Sequence, residues 1–155
     1  MRIKEKQETI ELLEELRILN YKSAYMYKIM CEAENRLMLK NFYMLLHQQK
    51  IEFRQDIEEK IEQLKTEISP TRDPRMLSFY KRKKCKLAQY YLKYKLRSSY
   101  ADIHKREWKS YKKYNKFLSR INHACVREIL LEHKHQIKIN LTNMNNTGII
   151  KYPVK

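Results

Sequence analysis

"LRILNYKSAYMYKIMCEAENRLMLKNFYMLLHQQKIEF" (residues 16–53) contains neither a glycine nor a proline. Its apolar residues recur at three- and four-residue intervals, the period of a helix and not the alternation of a strand. Leu16, Asn20, Ala24, Tyr27 and Cys31 fall on one line that Leu13 extends upstream. The pattern breaks at AENR (33–36), around Asn35, and resumes on Phe42, Leu46 and Phe53, then Ile57 and Leu64. Two long helices joined by a tight turn are therefore expected, one over about 9–34 with Thr9 as N-cap, the other over about 36–68. A second apolar line on the first helix, Leu12, Leu19, Met26 and Ala33, runs roughly opposite the first. A helix apolar on two sides suits packing in a bundle and against another subunit, so a homodimer through that second line is expected.

Outward from this stretch, "SPTRDP" (69–74) is the clearest breaker in the chain. Beyond it the spacing predicts three more helices. One covers 75–97 on Leu77, Tyr80, Leu87, Tyr91 and Tyr94; the next covers 101–118 on Ile103, Tyr111, Tyr114 and Leu118. The last, opened by Asn122, covers 122–143 on Val126, Leu130, Ile137, Leu141 and Met144, with residues 144–155 left as an extended or disordered tail. The whole chain of 155 residues has one glycine, Gly148, and three prolines, and it is rich in strong helix formers. An all-α fold follows. The length suits a single domain, residues 1–143, burying roughly 70% of its unfolded surface.

Composition narrows the chemistry. Cys31, Cys85 and Cys125 are odd in number and form no CxxC pair, which argues against a disulfide framework or zinc knuckle. The charged opening MRIKEKQETIE leads into no apolar segment, and no run approaches the roughly 20 apolar residues of a membrane span. A cytoplasmic protein without a membrane span is expected. Glycine-rich phosphate loops and hydrolase, kinase and dinucleotide signatures are absent, so an enzyme is disfavoured. Cys125 and His123 stand two apart near a helix start with no acid partner evident, and Cys125 is expected to be a packed cysteine and not a nucleophile.

Charge is distributed unequally. Residues 1–68 hold 12 Lys+Arg against 13 Asp+Glu, whereas residues 69–155 hold 22 against 5. Between residues 75 and 116 the basic side chains interleave with tyrosines. Lys81, Arg82, Lys83, Lys84, Lys86, Lys93, Lys95 and Arg97 form one ridge; Lys105, Arg106, Lys109, Lys112, Lys113 and Lys116 form another. Such ridges could bind nucleic acid through phosphate neutralisation and tyrosine stacking, or attract an acidic partner. The plainer alternative makes the tyrosines core and the lysines its solvated side. Trp108 falls off its helix's apolar line and is expected to be exposed or at an interface.

One further stretch, "LLEHKHQIKINL" (130–141), carries Glu132 and His135 at Glu-x-x-His spacing. The order of elements, together with Asn20, Ala24 and Tyr25, then Phe42, Leu46, Gln49 and Phe53, then Glu107 and Tyr114, resembles an uncharacterised bacterial ferritin-like family over residues 8–143. The resemblance implies a ferritin-like four-helix bundle: helix hairpin, helical crossover, helix hairpin. It implies no activity, although the wider ferritin-like group holds an iron or manganese pair with Glu on two helices and Glu-x-x-His on two others.

Helical phase tests that implication at about 100° per residue. Asn20 and Gln49 occupy mid-line positions where carboxylates would serve a metal; Glu107 keeps a ligand position, and His133 lies on its helix's apolar line. Glu132 and His135 point roughly 100° or more away. A residual metal set would be Glu52, Glu107, Glu132, His133 and His135. The alternative is a polar core layer of Asn20, Gln49, Glu107 and His133, with Glu107 charge-matched by His133. The leading expectation is a non-enzymatic bundle of unknown bacterial role, with stress response as one candidate role; nucleic-acid binding and a residual di-metal protein follow.

Overall fold

The computed structural model describes residues 2–68 and 100–146. Among these residues there are four α-helices and no strands: α1 (Ile3–Ala33), α2 (Leu37–Ile68), α3 (Tyr100–Leu118) and α4 (Ala124–Asn146). The chain divides into two compact units, Met1–Leu96 and Arg97–Lys155, each containing one helical hairpin. The helix expected over 75–97, with the basic ridge from Lys81 to Arg97, lies outside the described residues.

The first hairpin pairs α1 with α2 in antiparallel register, and cross-contacts mark every stage of it. Cys31 Sγ meets the Lys40 carbonyl near the turn, and His47 Nδ1 meets the Ala24 carbonyl at 2.7 Å. Arg17 bonds Glu58 at 2.9 Å, and Lys6 reaches Glu67 at 3.0 Å near the open end. These ion pairs are partly solvated and each adds under about 1 kcal/mol. Burial of Leu13, Leu16, Tyr27, Phe53, Ile57, Ile61 and Leu64 contributes far more, at roughly 1.5–3 kcal/mol for each fully buried large apolar side chain.

Every residue of the first α1 line, from Leu13 to Cys31, is buried as its spacing predicts. The second line is divided. Leu12 and Met26 are already buried within the single chain, Leu19 is half-buried and Ala33 is exposed.

Thr9 does not open α1. The helix begins six residues earlier at Ile3, and the Thr9 hydroxyl is buried and donates to the Glu5 carbonyl one turn back at 2.8 Å. A threonine can cap a helix or bond back to the i−4 carbonyl within one, and sequence spacing does not separate these uses.

The turn between α1 and α2 is held by Glu34. Its Oε1 accepts the Arg36 backbone N–H at 3.0 Å and the Arg36 Nε–H at 2.9 Å, while its own N–H donates to the Cys31 carbonyl. The Arg36 side-chain hydrogen bond holds the Glu34 carboxyl below its ordinary value, against the opposing effect of burial. A carboxylate with a depressed folded-state pKa stabilises the fold above its unfolded-state pKa, and that contribution is lost as pH falls through the folded value. Arg36→Ala should therefore lower the urea midpoint at neutral pH, and the gap to the parent should close in acid once Glu34 is protonated in both. An undiminished gap at low pH would show that Arg36 acts by packing alone.

In the second hairpin, α3 and α4 are joined through Ser119–His123. Arg127 Nη1 bonds the Leu118 and Ile121 carbonyls, satisfying acceptors at the end of α3. His123, not Asn122, caps α4, its Nδ1 accepting the Val126 N–H at 3.4 Å. Val126, Leu130, His133, Ile137, Leu141 and Met144 are all buried, the line the spacing predicts. Helix α4 continues to Asn146, so residues 144–146 belong to it and not to a tail.

Candidate functional site

In the first hairpin two strongly polar side chains, Asn20 and Lys50, are fully buried. Asn20 Nδ2 donates to the Leu16 carbonyl at 2.9 Å. On α2 the buried line is Leu39, Tyr43, Leu46, Lys50, Phe53, Ile57, Ile61 and Leu64. Lys50 therefore occupies the position expected of Gln49, which is only half-buried, and Phe42 gives way to Tyr43. The steps between buried residues are all three or four, and the lysine closes what would otherwise be a seven-residue gap from Leu46 to Phe53. Its ammonium donates to Gln49 Oε1 at 3.3 Å and sits 4.9 Å from the centre of the Phe53 ring. Lysine is read as a surface residue by its charge; only the complete phase of the helix reveals it.

The second hairpin buries Glu107 and His133 as expected. Asn140 Nδ2 donates to Glu107 Oε2 at 3.4 Å. His133 Nδ1 shares a 3.0 Å hydrogen bond with the Tyr114 hydroxyl, and the two rings meet edge to face at 5.8 Å. The register that sets Glu107 beside Asn140 and Tyr114 beside His133 separates Glu107 from His133 by about two turns, ~10 Å along the hairpin. Within this hairpin Glu107 is therefore met by Asn140, and His133 by Tyr114. Helical phase identified the buried residues; the hairpin register, invisible in phase alone, selects which of them meet.

The remaining members of the metal set lie elsewhere. Glu52, Glu132 and His135 are all exposed, on the solvent sides of their helices. Among the described residues no three His, Cys, Asp or Glu side chains gather in a metal-holding group. Cys31 is buried and Cys125 exposed, both as free thiols, so Cys125 is not the packed cysteine expected of it.

The solvent side of α3 has a different character. Lys105, Lys109, Lys112 and Lys116 are exposed there, and Arg106 and Lys113 half-buried. Between residues 103 and 118 the single acidic side chain is Glu107, which is wholly buried. Trp108 is 46% exposed, as expected from its phase, whereas Tyr111 flanks the core instead of filling it. The Trp108 and Tyr111 rings stack at 5.7 Å with 16° between their planes. Lys112 stands over the indole at 5.4 Å, and Lys134 of α4 over the Tyr111 ring at 5.6 Å.

These features define an all-α protein of helical hairpins with polar groups set in its core. Among the described residues no helix is long and apolar enough to cross a membrane. Comparison with family models, curated proteins and solved structures finds no match to this chain.

Proposed function

We propose that this protein is a non-enzymatic ferritin-like bundle, in which ligand-like positions serve as hydrogen-bonded core and carry no metal chemistry. The observation that carries the reading is the fate of the candidate ligands. Glu107 and His133 are buried with Asn140 and Tyr114 as protein partners, while Glu52, Glu132 and His135 face solvent. A carboxylate-bridged metal pair needs about four carboxylates and two imidazoles converging on one point. Two long helices before the 69–99 segment and two after it support the ferritin-like element order.

Protein purified from cells supplemented with iron or manganese should carry substoichiometric metal by elemental analysis, unchanged in Glu107→Ala. Stoichiometric metal that disappears in Glu107→Ala would overturn the proposal.

A further inference from the structure

Helix α3 carries two features side by side that its core does not require. The first is the row Lys105, Lys109, Lys112 and Lys116, at spacings of four, three and four, which places them along one side of the helix over ~16 Å. Besides Glu107, which is turned inward, the acidic side chain of α3 is Asp102 in its first turn, three residues before Lys105, so the stretch from Lys109 to Lys116 has no exposed carboxylate of its own helix beside it. The second is the stacked Trp108–Tyr111 pair beside it, with the indole 46% exposed. The stack on Tyr111 holds the indole beside the lysine row, so an aromatic surface and a line of cations lie together on one helix.

We infer that the outer face of α3 binds single-stranded nucleic acid without sequence preference, an unpaired base stacking at Trp108 in place of the Lys112 ammonium over its ring, and the lysine row, Lys112 included, following the phosphates. Each half of the face suits one half of a nucleotide. An aromatic ring stacks on any base, and a row of ammonium groups releases counterions from successive phosphates. A duplex offers phosphates but keeps its bases stacked on one another, so the aromatic pair selects the single strand. An anionic membrane would call for a continuous apolar face below the lysines. On this hairpin the exposed large apolar residues are Trp108, Leu131 and Ile139, interrupted by lysines, histidine and glutamate. The inference is independent of the metal question, since neither Trp108 nor the lysine row takes part in the polar core.

Trp108 is the chain's sole tryptophan, so intrinsic fluorescence reports this face alone. Titration of the full chain with a short oligodeoxythymidylate at low salt should quench that fluorescence saturably. In anisotropy with a labelled strand, Trp108→Ala should weaken binding by ~5- to 150-fold, the effect of losing one stacked base. Affinity should fall with salt at a log–log slope of about −0.7 per phosphate neutralised, and Lys105→Glu with Lys112→Glu should make that slope shallower by roughly 1.4. All three residues are exposed, so these variants keep the parent's circular dichroism. Absence of quenching at low salt overturns the inference. So does equally tight binding of inorganic polyphosphate or duplex DNA, which would reduce the face to bare charge. A blue shift on phosphatidylserine vesicles without oligonucleotide binding overturns it in favour of a membrane surface.

Discussion

Phe53→Ala is expected to lower the unfolding free energy by about 3–5 kcal/mol, and Phe42→Ala by less than about 2. Phe53 is 2% exposed on the buried line of α2, between Lys50 and Ile57, whereas Phe42 lies half-buried beside that line. Truncating Phe53 removes its transfer free energy and leaves a cavity that two long packed helices cannot readily close. Truncating Phe42 removes part of a ring already touched by water. Urea denaturation of both variants measures the difference directly. Equal losses would place the α2 core line on Phe42 and displace Tyr43 from it.

Lys50→Glu is expected to cost roughly 3–5 kcal/mol or prevent folding of the first hairpin, with Lys50→Met costing at least ~2 kcal/mol less. The surroundings of this fully buried ammonium present negative potential. The Gln49 carbonyl oxygen accepts from it, and the Phe53 ring face lies 4.9 Å away. The Phe53 ring face repels a carboxylate, the Gln49 amide must turn to offer its N–H groups, and burial deprives that carboxylate of water. Methionine keeps much of the stem's volume and brings no charge to desolvate. If the Glu and Met variants unfold at the same urea concentration, the ammonium gains nothing from its surroundings and only the stem matters.

Much of the fold was legible because helices write their packing into a simple period. The α4 line is readable in full and the first α1 line correct as far as it goes, including His133 and Asn20, because polar members stand between unambiguous apolar ones at steps of three and four; Ser23 and Met30 are buried on α1 outside both of its lines. On α2, Leu46, Phe53, Ile57 and Leu64 are buried as their spacing predicts, whereas Phe42 and Gln49 each stand one residue short of the buried Tyr43 and Lys50. Gln49 and Lys50 are adjacent, both are polar, and only the burial of Leu39, Tyr43 and Ile61 decides between them. Thr9 is ambiguous for a related reason, since its hydroxyl serves equally well at a cap or inside a helix. The pairing of Glu107 with Asn140 was out of reach for a different one. Phase gives the angle of a residue about its own axis, but the axial offset between two helices is set by the connecting turn. That turn is fixed by Arg127 reaching back to the Leu118 and Ile121 carbonyls, a contact no periodicity announces. The exposure of Trp108 was visible from its angle; its stacking on Tyr111 and the lysines over both rings were not.

The closing of α1 on α2 through a three-residue turn also bears on the order in which the protein assembles. Its register contacts, from Cys31 with Lys40 to Lys6 with Glu67, are completed by residues that all precede Ile68. Contacts that zip outward from a turn are of low contact order, and each closure shortens the loop for the next. During synthesis the near-neutral first hairpin can therefore pair before the cationic half of the chain has left the ribosome. The last rungs to form, at Lys6 and Glu67, are also the first expected to fray, and amide exchange should quicken from the turn toward that open end.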